Sequence, residues 1–386
     1  MRWARQVLFG DIDAMYASAA VVKEPALAGK PVAVGGPSPR GIILAASYPV
    51  RAFGVRSAMP TAEALRLCPN LILIPPDRPL YRRLHDEMRM VTDRLFPVTE
   101  WSSIDEFYAE TTDLQSLYPD PQVLGQLTKH TLQQATGLRC TIGIASGKTV
   151  AKIAADSHKP DGLLVIEPGN EASFLSRLPV RSLPGIGPKT GALLDRAGIQ
   201  RLGDLLDARW HTFLLRHLGN RLYAIQELLH GHDPDPVFAD RESKSLSHET
   251  TFDLDTADPG YLEDVLRGFL RSLARDLRQD FTAANTFTVK LKDSRFIITT
   301  KQRSFASPLN YDPEMWPAIR QALHDLMQSD MTYRLVGLSL TSLTPAAQGL
   351  FNQRRAKAIH VMDALTAKHG PQIIGLGGVA AEEEDM

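Results

Sequence analysis

Hydrophobic and polar positions along this chain follow two periods, and the switches between them divide it into elements. Val7-Leu8-Phe9-Gly10-Asp11-Ile12-Asp13 is a short apolar run that reads as a strand. A helix follows over residues 14–22. Residues 31–34 and 41–45 read as further short strands, parted by the turn residues Gly35-Gly36-Pro37. From 80 to 95 the period becomes helical, with Leu80, Leu84, Met88, Val91 and Leu95 on one face. Trp101-Ser102-Ser103-Ile104-Asp105-Glu106-Phe107-Tyr108 reads as a strand, 124–136 as an amphipathic helix, and 141–145 as the last strand of this region. Strands and helices in this alternation predict an α+β sheet domain.

Beyond it, Leu183-Pro184-Gly185-Ile186-Gly187-Pro188-Lys189 opens a helix running through Leu194, with a second around 202–206. Gly-Ile-Gly between short helices is a helix–hairpin–helix signature. Its glycines let backbone N–H groups approach a phosphate, and the helix N-terminus adds a favourable dipole. Gly185, Gly187 and Lys189 are therefore candidate phosphate contacts. Residues 241–247 read as a polar linker. Residues 287–292 and 295–301 read as antiparallel strands carrying Lys290, Lys292, Arg295, Lys301 and Arg303 largely on an outer face. Residues 265–277 and 315–327 read as helices, and a further strand ends near Leu343.

Composition narrows the function classes. With 386 residues the chain holds several domains, and 44% hydrophobic with 23% charged residues is a globular composition. No apolar run is long enough to span a bilayer, and Asp11 and Asp13 interrupt the only candidate leader. A cytoplasmic location is expected. Cys68 and Cys140 are the only cysteines, so neither a disulfide framework nor a zinc cluster is implied. A net charge of −1 does not suggest a nucleic-acid binder, yet the stretch 290–303 carries five cations against Asp293 alone. The acidic end, Glu382-Glu383-Glu384-Asp385, offsets them in the total.

Asp11, Asp105 and Glu106 are the candidate chemistry. Carboxylates in apolar strands are costly to bury unless a partner compensates. Each alone is an ordinary strand-end acid; together they suit a pair of divalent cations, and hard oxygen donors suit Mg²⁺. Two such ions are the standard apparatus for in-line attack at phosphorus.

The surrounding motifs resemble the Y-family of DNA polymerases, in its DNA polymerase IV branch. They run in the family's order: Asp11-Ile12-Asp13-Ala14-Met15-Tyr16-Ala17-Ser18, Ala46-Ser47-Tyr48-Pro49-Val50-Arg51, Phe53-Gly54-Val55-Arg56-Ser57-Ala58-Met59-Pro60, Ser103-Ile104-Asp105-Glu106, and the stretch from Lys152 through His158-Lys159-Pro160-Asp161-Gly162. The resemblance covers about 7–343. It implies a multidomain right-hand polymerase: palm over 1–21 and 78–167, fingers over 22–77, a helix–hairpin–helix thumb over 168–240, a little finger over 241–345 and a tail over 346–386.

It implies a monomeric, template-directed polymerase that extends primer–template DNA with deoxynucleoside triphosphates, bypasses lesions and lacks proofreading. Two Mg²⁺ ions, for which Mn²⁺ can substitute, would be held by Asp11, Asp105, Glu106 and the Ile12 carbonyl. Tyr48, Arg51 and Lys159 match the family's triphosphate contacts, with Lys152 a less certain neighbour. Tyr16 holds the steric-gate position and would exclude a 2′-hydroxyl. Asp13 is read as structural. Ile42 and Leu44 are larger than the small roof residues of some relatives, which puts bulky lesions in doubt. Gln348-Gly349-Leu350-Phe351 resembles a bacterial sliding-clamp-binding peptide, with Gln348, Leu350 and Phe351 as anchors, one residue shorter than the commonest spacing. The alternative is an inactive polymerase-like scaffold in a mutagenesis complex, which the full set of acids argues against. Nucleotide cyclases also carry two acids on a palm-like sheet, but would have no use for the helix–hairpin–helix or the basic sheet.

Overall fold

The computed structural model describes residues 2–38, 40–239 and 243–346, with Val361 and Leu365. Gln348, Leu350 and Phe351 lie outside the described residues. The chain divides into two compact units, Met1–Arg241 and Glu242–Met386. No helix among the described residues is long and apolar enough to cross a membrane.

In the first unit, β1 (Val7–Ile12) leads into α1 (Met15–Lys23). A small sheet follows, built from β2 (Val32–Gly35) and β3 (Ile43–Ala46), then α2 (Tyr48–Arg51), α3 (Thr61–Leu67) and β4 (Ile72–Ile74). Its order is β3-β2-β4, around a core that includes Ile43, Val50, Val55 and Cys68. The chain then returns through α4 (Arg78–Leu95), β5 (Thr99–Trp101), β6 (Glu106–Glu110), α5 (Pro121–Thr136), β7 (Cys140–Ala145), α6 (Lys148–Asp156) and β8 (Leu163–Val165). α4 begins where the Asp77 side chain accepts the Leu80 amide at 3.1 Å, a side-chain cap on an otherwise orphaned donor.

These strands form one five-stranded sheet in the order β5-β6-β1-β7-β8. Alternation along β1 sends Leu8 and Ile12 into a core with α4 and α5, while Val7 and Phe9 pack with α6 on the other face. α6 lies so close to β7 that a Cβ on Gly143 would stand 2.0 Å from the Ala151 carbonyl oxygen. The Ala151 oxygen and the Ala155 nitrogen, at 2.7 Å, are both backbone and neither can yield. Gly143→Ala is expected to cost about 3 kcal/mol or more, read from urea unfolding of the first unit.

Two expectations need correction here. The run 101–108 is not one strand. Trp101 ends β5, Glu106 opens β6, and 102–105 form the turn between them. Ser103 causes it: its Oγ accepts the amides of Asp105 and Glu106 at 3.3 and 3.1 Å, offering the backbone an alternative to the ladder. Nor is β7 the last strand, because β8 pairs parallel to it.

The unit continues through α7 (Glu171–Ser176), α8 (Pro188–Arg196), α9 (His211–Leu218) and α10 (Arg221–Leu229). The expected second helix at 202–206 is a 3₁₀ turn. Gly185 and Gly187 precede α8. Gly185 has φ +89°, where only glycine is comfortable. Gly187 has an ordinary φ, and a Cβ there would meet no atom within 4 Å.

The second unit runs β9 (Ser245–Thr256), α11 (Pro259–Gln279), β10 (Thr282–Asp293), β11 (Ile298–Leu309), α12 (Asp312–Leu326) and β12 (Tyr333–Pro345). The antiparallel order is β11-β10-β12-β9, with α11 and α12 on one face. The polar stretch expected to be a linker is partly strand, since Ser245 pairs with Thr341. Arg295 sits in the β10–β11 turn, which Asp293 closes by accepting the Arg295 and Ile297 amides at 2.9 and 2.8 Å.

The basic residues are split between faces. Phe287, Val289 and Leu291 point to the helices, so Lys290 and Lys292 take the open face. Arg303 pairs in register with Phe287, and Lys301 with Val289. Lys301 and Arg303 therefore share the helix side, where both contact Asp325 of α12, at 3.5 and 2.5 Å. The expected common outer face holds for the first pair and fails for the second.

Candidate active site

Asp11 is the fifth residue of β1 and buried; Glu106 is its register partner on β6. Both point to the α6 side of the sheet, as Val7, Phe9 and Tyr108 do. Asp105 stands one residue before Glu106, in the turn, and its carbonyl oxygen accepts the Ile12 amide at 2.9 Å. The three predicted acids and the Ile12 backbone thus meet at one corner of the sheet.

Lysines answer them. Lys159 Nζ lies 2.5 Å from Asp11 and 2.9 Å from Asp156. Lys152 Nζ lies 2.6 Å from Glu106 and over the Phe9 ring. Asp105 accepts from Ser103 Oγ at 2.6 Å. Burial pushes the Asp11 carboxyl upward against the pull of Lys159, and Glu106 and Asp105 push it the same way. Burial disfavours the Lys159 charge, but Asp11 and Asp156 outweigh it and hold the ammonium above its ordinary value.

That electrostatic excess is the test of fit for divalent cations. The donors are hard oxygens, and their mutual repulsion is what added positive charge relieves. Among the described residues no three acidic, histidine or cysteine side chains converge into a coordinating group. Glu106 and Asp11 are turned toward their lysines, so the donor chemistry fits while side-chain rotation must complete the arrangement.

Asp13 falls just past the end of β1. It accepts from Thr141 Oγ1 at 2.9 Å, from the Asp161 amide at 2.8 Å and from the Tyr48 hydroxyl at 3.2 Å. One buried carboxylate ties β7, the loop bearing Lys159 and α2 together. Burial, then Asp13, pushes the Tyr48 hydroxyl up to about 12. The Arg51 guanidinium covers the Tyr48 ring at 4.3 Å, and its Nε donates to the Ala46 carbonyl at 3.0 Å. Tyr16 stacks on Tyr81 of α4 with centroids 4.2 Å apart, and Asp105 is near enough to add to the rise that burial causes in its hydroxyl. Ile42 and Leu44 are exposed, at 46% and 39%.

The structure therefore gathers Asp11, Ile12, Tyr16, Asp105, Glu106 and Lys159, with Tyr48 and Arg51 joined through Asp13. Gly185, Gly187 and Lys189 stand apart, before and within α8. Lys290, Lys292, Arg295, Lys301 and Arg303 belong to the second unit. Lys290 contacts Glu249 at 2.8 Å, Lys292 lies over Phe296, and Arg295 contacts Asp293 at 3.1 Å. Lys152, expected as a less certain neighbour, stands one turn from Lys148 on α6 and contacts Glu106. Tyr81 has no signal in the sequence beyond its place on the buried side of α4.

Comparison with known proteins decides the family. Residues 10–156 match the impB/mucB/samB family, 243–353 its C-terminal domain, and 168–199 the IMS family HHH motif. DNA polymerase IV of Methanoculleus marisnigri is 38% identical over 88% of this chain and 95% of its own length. The chain belongs to the Y-family DNA polymerases. DNA polymerase IV of Halorhodospira halophila is 36% identical over 89% of the chain and 97% of its own. A Y-family polymerase chimera of Dbh and Dpo4 superposes with a TM-score of 0.80 at 25% identity, covering 87% of this chain and 98% of that one. An insertion ternary complex of Dbh DNA polymerase gives 0.65 over the same shares, also at 25% identity. As a Y-family member the chain is a DNA-directed DNA polymerase of the translesion class.

Taking Lys159 as the triphosphate contact that the family resemblance implies, Lys159→Ala is expected to raise KM for the incoming nucleotide about 10- to 100-fold. A charge-assisted contact of roughly 1.5–3 kcal/mol is lost. Steady-state single-nucleotide insertion measures it.

Proposed function

We propose that the corner of the sheet where Asp11, Asp105 and Glu106 meet transfers nucleotides from deoxynucleoside triphosphates to a primer 3′-hydroxyl. The observation that carries this reading is the register: Asp11 faces Glu106 across β1 and β6, and the Ile12 amide ties Asp105 to the same strand end. Asp11, Asp105, Glu106 and the Ile12 carbonyl would hold two Mg²⁺ ions, for which Mn²⁺ would substitute. Held there, such ions would supply a lowered pKa for the 3′-hydroxyl and positive charge against the phosphoryl oxygens.

The chain's own residues do the rest. Lys159 exchanges Asp11 for triphosphate oxygens as the nucleotide arrives. Arg51 presents a planar fork to the phosphates, held in place by the Tyr48 ring and the Ala46 carbonyl. The Tyr48 hydroxyl would exchange Asp13 for a phosphate oxygen as acceptor. Tyr16, backed by Tyr81, lies under the sugar. Ile42 and Leu44 form the roof and favour small lesions over bulky ones.

We assign the sheet domain to the palm, the small inserted sheet to the fingers, the α7–α10 region to the thumb and the second unit to the little finger. Gly187 is held as glycine by neither backbone nor packing, which supports a phosphate approaching the α8 N-terminus with Lys189 beside it. Lys290 and Lys292 would meet duplex from the open face of the second unit's sheet. The enzyme would act as a monomer in the cytoplasm beside the nucleoid, without proofreading, and be recruited by a sliding clamp through Gln348, Leu350 and Phe351.

Primer extension on an undamaged template tests the reading. Short, distributive products that require Mg²⁺ and vanish on chelation are expected. Tight primer–template binding without extension would replace it with the scaffold reading.

A further inference from the structure

The backbone around Asp105 is pinned at every polar group, and one pin comes from α4. The Asp105 amide donates to Ser103 Oγ at 3.3 Å, and its carbonyl accepts the Ile12 amide at 2.9 Å. The remaining group is the Ile104 carbonyl, which forms the peptide plane leading into Asp105. It lies 3.0 Å from Nδ1 of His85, on α4. A carbonyl can only accept, so Nδ1 must carry the proton.

The His85 ring is itself fixed. It meets Trp101 edge-on, with centroids 4.7 Å apart. Trp101 closes the hairpin against Phe107, its register partner, at 5.0 Å. Phe107 in turn occupies the space over Gly10, where a Cβ would come within 2.4 Å of the ring. A continuous packed path therefore runs from α4 through the hairpin to the residue before Asp11.

We propose that His85 is a positioning residue for nucleotide transfer. By donating from Nδ1 to the Ile104 carbonyl it holds the turn 102–105, and so sets where the Asp105 carboxylate points. This rests on the reading of Asp105 as a metal-holding acid. A short turn without the bond still folds, because Ser103 and the β5–β6 pairing close it; what it loses is a fixed plane for one peptide group. Displacements of about 1 Å at such a group cost on the order of a hundredfold in rate.

The test uses the full-length protein and its variants His85→Leu, His85→Asn and Asp105→Asn. Asparagine places an amide N–H where Nδ1 stands; leucine keeps the volume and removes the donor. His85→Leu is expected to lower kcat for single-nucleotide insertion about 10- to 100-fold, with KM for the nucleotide within about twofold. Hydrogen exchange supplies a second readout, free of catalysis: the amides of 102–106 should exchange about tenfold faster in His85→Leu and return toward the wild-type rate in His85→Asn, with kcat recovering alongside. Wild-type kcat in His85→Leu, or equal impairment in His85→Leu and His85→Asn, would overturn the proposal. An active Asp105→Asn protein would instead overturn the reading beneath it, whatever the His85 variants do.

Discussion

Asp105→Ala is expected to abolish nucleotide addition, with kcat falling at least about 10³-fold, while primer–template affinity stays within about twofold. Removing one acid from a cluster that stabilises charge in the transition state removes an interaction made in the reaction and not in duplex binding. The fold should tolerate the change. Asp105 lies in a turn, its carboxylate hydrogen-bonds only Ser103 Oγ among the described residues, and its backbone bonds to Ile12 and Ser103 do not involve the side chain lost. Glu106 and Asp11 would keep their lysines. Pre-steady-state insertion kinetics beside a duplex-binding titration separate the two effects. Substantial activity in the variant would remove Asp105 from the metal assignment.

Tyr16→Ala is expected to produce the second large effect, a loss of sugar discrimination of about 10²-fold or more. The ring is held rigidly by stacking on Tyr81, which is 4% exposed and anchored in α4. A rigid wall rejects an added hydroxyl by steric clash; a flexible one would yield. The ratio of kcat/KM for a deoxynucleotide to that for its ribonucleotide should collapse, chiefly through faster ribonucleotide insertion. If the ratio holds, Tyr16 serves packing alone. The half-buried ring and its stack also predict some loss of stability, about 1–3 kcal/mol, which a urea titration reads independently.

Much of this was legible in the chain. The helical face of α4 followed from five residues at regular spacing, and every one of Leu80, Leu84, Met88 and Val91 is buried. β1 and the acid it carries followed from an apolar run broken by Asp11 and closed by Asp13. The turn at 102–105 was not legible, because Ser102 and Ser103 interrupt an otherwise apolar run without glycine or proline. Only the bonds from Ser103 Oγ to two amides reveal that the chain reverses there. The placement of Lys301 and Arg303 was lost for a related reason. Side-chain alternation fixes faces within each strand, but the hairpin register decides how two strands compare. Here Lys290 pairs with Thr300, so the cations of β10 and β11 take opposite sides. A turn shifted by one residue would have put them together. Asp13 shows a third limit. It lies two residues beyond Asp11, and only the folded loop shows that it binds Thr141, Asp161 and Tyr48.

The central claim is that Asp11, Asp105 and Glu106 hold divalent cations for phosphoryl transfer. A Mn²⁺ titration followed by electron paramagnetic resonance tests it most directly, on the ternary complex with a dideoxy-terminated primer and the next correct nucleotide. The account predicts two Mn²⁺ bound per wild-type complex and a loss of bound metal in Asp11→Ala and Asp105→Ala. Identical Mn²⁺ binding in wild type and both variants would contradict it.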